Sequence, residues 1–176
     1  MLTLLLLRHA KAGPPAPGLE DFDRTLKDKG RTAAQAIGRY MAANRLAPVK
    51  VLCSPAARTR ETWDIVAREF NKPPSPAFRN ALYESGDGQK LFKMLTREPG
   101  SDSPLLLVGH NPSTEELALR LAAPGGELRR QIERKYPTAG LAVLRFGMAE
   151  WPDLAAGGGE LLAFVRPAQL IGGHDD

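Results

Sequence analysis

Two histidines in this chain close aliphatic runs: His9 follows Leu4-Leu5-Leu6-Leu7-Arg8, and His110 follows Leu105-Leu106-Leu107-Val108-Gly109. A neutral imidazole carries a ring nitrogen that can attack an electrophilic centre, and histidine forms covalent intermediates in catalysis. Its ordinary pKa of about 6.5 leaves most of it neutral at pH 7. Arginine accompanies both: Arg8 directly precedes His9, and Arg58 follows Ser54-Pro55-Ala56-Ala57 in the first turn of a predicted helix. Each guanidinium offers paired donors to an oxyanion, in charge-assisted bonds of about 1.5–3 kcal/mol. A helix start adds free N–H groups and the positive end of the dipole. Two arginines with helix ends suit a dianionic phosphoryl group better than a carboxylate. His9, held rigidly beside Arg8 at a strand end, is the expected nucleophile, and His110 is the expected charge-stabilising donor. Nearby arginines lower the pKa of His9 and keep its nitrogen free.

Such residues need elements that deliver them to one place. Leu2 to Leu7, Val49 to Cys53 and Leu105 to Val108 read as buried parallel strands, because continuous branched runs are what strands covered on both faces require. Leu141 to Phe146 and Leu161 to Val165 read as two further strands, forming an antiparallel hairpin at a sheet edge. Helices are expected from Asp28 to Leu46, from a Ser54 N-cap with Pro55 at the first helical position to about Phe70, and from Gly88 to Arg97. Two more are expected from Pro112 or Ser113 to near Ala122, and from Leu128 to Lys135. The fold class is therefore α/β: one three-layer domain, a mostly parallel central sheet with helices on both faces, and an antiparallel edge hairpin. Residues 1–168 are expected to form the domain and residues 169–176 a flexible tail, with His174-Asp175-Asp176 frayed rather than metal-binding. In open α/β sheets ligands bind outside the carboxyl ends of the strands. Arg8-His9, Ser54 to Arg58 and Gly109-His110-Asn111 all fall at that edge.

The 176 residues suit one domain, and 43% hydrophobic with 25% charged residues excludes disordered and fibrous classes. A net charge of +4 is a mild excess. Its only local concentration, Arg129-Arg130 with Arg134-Lys135, has helical spacing and reads as a solvated helix face, so neither nucleic acid nor membrane is an expected partner. Cys53 is the single cysteine, which rules out an internal disulfide and fits a reducing compartment. The N-terminal apolar run is too short to span a bilayer and reaches Arg8 at once, so the expected location is the cytoplasm.

Arg8-His9-Ala10, Ser54-Pro55-x-x-Arg58 and Val108-Gly109-His110-Asn111-Pro112, in that order, resemble the histidine phosphatase superfamily, with its phosphoglycerate-mutase-like fold. The small size, Arg8-His9-Ala10-Lys11-Ala12, Asp23-Arg24-x-Leu26-x-x-x-Gly30 and Pro137-Thr138-Ala139 are similar to its SixA-type phosphohistidine phosphatase branch. The resemblance runs from about Leu4 to Phe146. It implies phosphoryl transfer through a phosphohistidine on His9, with Arg8, Arg58 and His110 holding the phosphoryl group, no metal and no cofactor. Arg24 would reach the rim of the same pocket. Glu61 and Thr25 depart from the branch pattern, standing where glutamine and proline are common.

Relatives that cleave phosphate esters use a carboxylic acid to protonate the leaving oxygen. Glu84, in Leu82-Tyr83-Glu84-Ser85, is the first candidate here and Asp87 the second, while Asp21 and Asp23 read as loop or capping residues. Phosphohistidine releases an imidazole, a far better leaving group than an alkoxide, and so depends less on such an acid. The expected helices also use much of the stretch between Arg58 and His110, leaving little chain for a lid, and an open pocket admits a side chain on a protein surface. These readings favour hydrolysis of phosphohistidine on a phosphorylated protein of the histidine phosphotransfer or phosphocarrier type. The alternatives are a small-molecule phosphomonoesterase on the same fold and a non-catalytic phosphate-binding module. A mutase would need a second phosphate position, and a metal centre would set its cation beside two arginines without a carboxylate at ligand spacing.

Overall fold

The computed structural model of the chain describes residues 1–84 and 86–173, so Ser85 and the His174 tail lie outside the described residues. Its centre is strand β1 (Leu2–Arg8), in which Leu4 to Leu7 are fully buried. Successive side chains of a strand point to opposite faces, and the run divides accordingly. Leu4 and Leu6 pack with Leu52, Leu105 and Leu107 on one face; Leu5 and Leu7 pack with Val51, Leu106 and Val108 on the other. Helices α1 (Asp28–Ala43) and α2 (Ala57–Ala67) cover the second face through Ala34, Ile37, Met41, Trp63 and Val66. The first face is covered by α3 (Ala81–Glu84), α4 (Gly88–Leu95), α5 (Ser113–Leu121) and α6 (Glu127–Arg134), through Leu82, Leu91, Leu117 and Ile132 among others. Full burial of each leucine contributes about 1.5–3 kcal/mol, which is why the four-leucine run takes the middle of the sheet.

The other strands are β2 (Lys50–Cys53), β3 (Ala77–Phe78), β4 (Leu105–Gly109), β5 (Leu141–Phe146) and β6 (Glu160–Val165), in the spatial order β3-β2-β4-β1-β5-β6. Strands β3, β2, β4 and β1 run parallel, whereas β5 is antiparallel to β1 and β6 to β5. The expected three-layer α/β domain with an antiparallel edge hairpin is the one observed. Register then positions the site. Arg8 faces Gly109 and Cys53 faces Val108, so three parallel strands end level. The ladder continues one step, with His9 N–H donating to the Gly109 carbonyl and Ser54 N–H to that of Val108. His9, Ser54 and His110 thus emerge side by side at one edge.

Differences from the sequence reading lie at element ends and in the short elements β3, α3 and α7 (Pro167–Ile171). Helix α2 begins at Ala57, not at Ser54-Pro55, because Ser54 still pairs in the sheet and its hydroxyl is bonded to His110. Helix α1 stops at Ala43 instead of Leu46: Arg45 takes φ +58°, and Leu46 N–H returns to the Met41 carbonyl, a left-handed closure of the kind that ends many helices. The two-residue β3 carried no sequence signal beside Pro73, Pro74 and Pro76. Helix α7 packs on α1 and straddles the boundary expected at residue 168.

Two side chains settle smaller questions. Trp151 and Phe164 both belong to the core, Trp151 donating from Nε1 to the Asp102 carbonyl and Phe164 packing on Tyr136. Arg130 and Arg134 pair with Glu127 on an exposed face of α6, whereas Arg129, expected on the same solvated face, is half-buried, pairing with Glu133 and donating from Nη1 to the Leu119 and Ala122 carbonyls. No described helix is long and apolar enough to cross a membrane.

Candidate active site

His9 and His110 meet at the edge defined by the strand ends, with ring centroids 5.2 Å apart. His9 Nδ1 lies 2.8 Å from the carbonyl oxygen of Ala10. A carbonyl only accepts, so Nδ1 carries the ring hydrogen of the neutral form and Nε2 keeps a bare lone pair. Burial, with the positive fields of His110, Arg58 and Arg8, lowers the His9 pKa to about 3. The same causes, burial first and then Arg58 and Arg8, lower that of His110 to about 4, against an opposing pull from Asp21. Both rings are therefore neutral at physiological pH. His110 Nε2 sits 2.8 Å from Ser54 Oγ.

The two expected arginines flank these rings. Arg8, at the end of β1, donates from Nη1 to the Tyr136 carbonyl at 2.8 Å, and burial lowers its pKa from the usual arginine value. Arg58, in the first turn of α2 with 7% of its surface exposed, is fastened from its solvent side. Its Nη1 donates to the Asp21 carbonyl at 2.7 Å and its Nη2 to Asp21 Oδ2 at 3.0 Å. Arg8 Nε and His110 Nδ1 are buried and without a protein partner among the described residues, as is the amide oxygen of Asn111. Buried polar atoms are almost always bonded, so two unpartnered nitrogens on residues that flank the His9–His110 pair are exceptions that fit a site for an anion.

Helix α2 and the loop after β1 are tied together so that this geometry holds. Thr62 Oγ1 donates to the Arg58 carbonyl at 2.6 Å and accepts from Ala10 N–H at 3.0 Å, which locks the turn after His9 to the helix bearing Arg58. Glu61 accepts from Leu26 N–H and from Arg31 Nε, both at 2.7 Å; at this position a carboxylate serves two donors that a glutamine amide would meet with one oxygen. Gly30 explains its place in the Asp23–Gly30 motif, because a Cβ there would collide with the Lys11 carbonyl. That close approach, with Lys27 N–H bonded to Lys11 O and Gly13 N–H to Thr25 O, folds residues 20–27 back beside the pocket.

Of the six expected site residues, the fold brings Arg8, His9, Arg58 and His110 together. Arg24 stands at the rim: Nη1 donates to Asp21 Oδ1 at 2.8 Å and Nε to the Gly13 carbonyl at 2.9 Å, so it reaches Arg58 only through Asp21. Glu84 ends α3 with an exposed side chain, and no described hydrogen bond joins its carboxylate to the other five. The carboxylate that does act on His110 is Asp21, which lies in a 3₁₀ turn (Asp21–Asp23) and whose sequence setting marked it only as a loop or cap. Arg24 first, and then Arg58 and Tyr83, hold its carboxyl down at about 2. Glu115 bonds the Asn111 amide at 2.9 Å and acts on Arg8, not on either histidine. Tyr83, also missed in the sequence, packs T-shaped on the His110 ring with centroids 5.7 Å apart and donates from its hydroxyl to Asp21 Oδ2 at 3.2 Å. Its position directly before the suspected acid Glu84 was the one available signal.

The lowered histidine pKa values have a measurable consequence. If His9 is the nucleophile, kcat/KM should stay level from pH 7 down to about pH 5, where a histidine of ordinary pKa would be mostly protonated and inactive. Stability runs the other way. Between the unfolded value of about 6.5 and the folded values of about 3 and about 4, the unfolded chain binds more protons. The contribution of neutral His9 and His110 is complete above pH 6.5 and is lost as pH falls toward those folded values. Urea unfolding at pH 7 and pH 5, beside a pH–rate profile, checks both signs; an acid limb near pH 6.5 would contradict the nucleophile's environment.

The chain belongs to the histidine phosphatase superfamily (branch 1), whose sequence profile matches residues 4–98. An uncharacterized protein of Mycobacterium tuberculosis is 35% identical over 164 residues, spanning 92% of this chain and 99% of the relative. Among solved structures, the SixA protein of Agrobacterium tumefaciens, assigned as a phosphohistidine phosphatase, is 31% identical with a TM-score of 0.77, covering 94% of this chain and 98% of its own. That of Nakamurella multipartitia, assigned likewise, is also 31% identical, with a TM-score of 0.80 and coverage of 94% and 96%. A SixA protein histidine phosphatase complexed with tungstate shares the fold at 20% identity, with a TM-score of 0.74 over 96% of this chain and 99% of its own. The protein is thus a phosphatase of this superfamily with a SixA-like fold.

Proposed function

We propose that the protein removes the phosphoryl group from phosphohistidine on a protein, through a covalent phosphohistidine on His9 and without a metal ion. The observation that carries this reading is the bond from His9 Nδ1 to the Ala10 carbonyl, which leaves Nε2 as a free lone pair between Arg8, Arg58 and His110. Nε2 attacks phosphorus, the bond from phosphorus to the substrate nitrogen breaks, and its electron pair leaves with the imidazole. Arg8 Nε and the unoccupied donors of Arg58 receive the equatorial oxygens. In the tautomer in which the Ser54 hydroxyl donates to His110 Nε2, the hydrogen of His110 sits on Nδ1, a buried atom without a described protein partner, and supplies a third donor. Water then attacks the phosphoenzyme, the electron pair of the second P–N bond returns to Nε2, and inorganic phosphate leaves with the proton of the water.

The setting of the carboxylates supports P–N over ester cleavage. An alkoxide needs a proton as it departs. Asp21, ionised with a pKa of about 2, has none to give at neutral pH, and the exposed Glu84 has no described bond to the site. The test is hydrolysis of a phosphohistidine-bearing phosphocarrier protein and of an alkyl phosphate ester, in EDTA, by wild type and Glu84→Gln. The expected result is turnover of the phosphoprotein at more than tenfold the kcat/KM of the ester, with the variant within about threefold of wild type. Ester-only turnover with a large Glu84→Gln loss would assign a small-molecule phosphomonoesterase instead. Loss of activity in EDTA that zinc restored would overturn the metal-free mechanism.

A further inference from the structure

Arg58 and His110 are buried, whereas Asp21, bonded to Arg58, and Tyr83, packed on His110, keep exposed surface. Arg58 has 9% of its side chain exposed, whereas Asp21, bonded to it, has 52%. His9 Nδ1 is held by the Ala10 carbonyl, which leaves Nε2 as the attacking atom, and a group leaving in line with that attack needs a place with access to solvent beside the arginines. Resting on the phosphohistidine reading above, we propose that Asp21 and the Tyr83 ring form a subsite for the departing imidazole, in which the Asp21 carboxylate accepts a hydrogen bond from the ring nitrogen remote from phosphorus.

The chemistry of the leaving group asks for such a contact. Phosphorylated at one nitrogen, an imidazole departs as the neutral ring only if its other nitrogen already carries a proton; otherwise it must leave as an anion. The protonated ring is a cation while phosphorus is still attached. A fixed carboxylate beside the remote N–H stabilises that cation, and an aromatic face adds to it. Asp21 has the capacity. Oδ1 accepts from Arg24 and Oδ2 from Arg58 and Tyr83, three bonds against the roughly four acceptor positions of a carboxylate. Tyr83 is held in place by T-shaped contacts with Phe22, centroids 5.2 Å apart, and with His110, centroids 5.7 Å apart. The groups that face Asp21 are the cations Arg24, beside its own turn, and Arg58 from α2, with the neutral Tyr83 from α3 and His110 from the end of β4. Arg24, Arg58 and Tyr83 keep it an anion, which disqualifies it as an acid for esters and suits it as the partner of an imidazolium.

Asp21→Asn tests the proposal, since asparagine retains an oxygen for Arg58 Nη2 and leaves the main-chain carbonyl contact in place. Three substrates are compared: N-phosphoimidazole, phosphoramidate (whose ammonia leaves without a second nitrogen) and p-nitrophenyl phosphate. Any disturbance of Arg58 lowers all three together and divides out of their ratios. The expected result is an additional loss of kcat/KM, about tenfold or more, for N-phosphoimidazole relative to the other two, the size of one charge-assisted hydrogen bond. Tyr83→Leu should lower the same ratio by a smaller factor. Equal losses on all three substrates, or no loss on any, would overturn the subsite and leave Asp21 only as the fastening of Arg58. Wild type that cleaved p-nitrophenyl phosphate but neither N-phosphoimidazole nor a phosphohistidine protein would overturn the phosphatase reading itself.

Discussion

His9→Ala is expected to lower kcat by on the order of 10⁴-fold or more while leaving the thermal midpoint close to that of wild type. The loss is large because His9 supplies the attacking atom, and no neighbouring group can replace it: His110 Nε2 is engaged with Ser54, and both arginines are cations without a lone pair to offer. The midpoint should hold because the one hydrogen bond of the His9 side chain among the described residues is local, to the adjacent Ala10 carbonyl. Chemical trapping separates this role from a merely structural one. Wild type quenched during turnover of a radiolabelled phosphoprotein should retain label that is lost in acid and stable in alkali, as phosphohistidine is, and His9→Ala should retain none. Label retained by the variant at the wild-type level would assign the nucleophile elsewhere, with His110 the first alternative.

Arg58→Ala should lower kcat/KM by about 10²–10⁴-fold, the loss of two charge-assisted bonds of about 1.5–3 kcal/mol each. The guanidinium is buried and pre-aimed by Asp21, so no rotamer search is needed when an oxyanion arrives. Inorganic phosphate should inhibit the variant far more weakly than wild type. A second readout follows from electrostatics. Arg58 contributes to the lowering of both histidine pKa values, so its removal should move the acid limb of the pH–rate profile upward. Arg58→Lys keeps the charge but loses the fork that meets Asp21 on one side and an anion on the other, and should fall between wild type and alanine. A loss below tenfold for Arg58→Ala, with unchanged phosphate inhibition, would remove Arg58 from the phosphoryl clamp.

The strands that carry the site were legible because their signal is local. Runs such as Leu4 to Leu7 and Leu105 to Val108 are apolar at every position, and only a strand buried on both faces asks for that. Helix ends were less legible. Ser54-Pro55 has the composition of a helix start, yet Ser54 remains in the ladder because Val108 offers its backbone a partner and His110 its hydroxyl one. Both partners lie more than fifty positions away, beyond any local pattern. The short β3 and the left-handed closure of α1 at Arg45 likewise depend on what they pack against.

The residues of the chemistry divide along the same line. By itself the sequence determined that two histidines and two arginines arrive at one edge of an α/β sheet, since each follows directly from a strand or a helix start that its own neighbours specify. Only the tertiary structure decided which carboxylate stands beside them. Glu84, near the suspected position, ends exposed on α3, while Asp21, in a loop without periodicity, is carried to Arg58 by bonds from Lys11 to Lys27, from Gly13 to Thr25 and from Glu61 to Leu26. A strand is written in the hydrophobicity of consecutive residues. The path of a loop is set by whichever distant groups satisfy its backbone, and these come together only once the chain has folded.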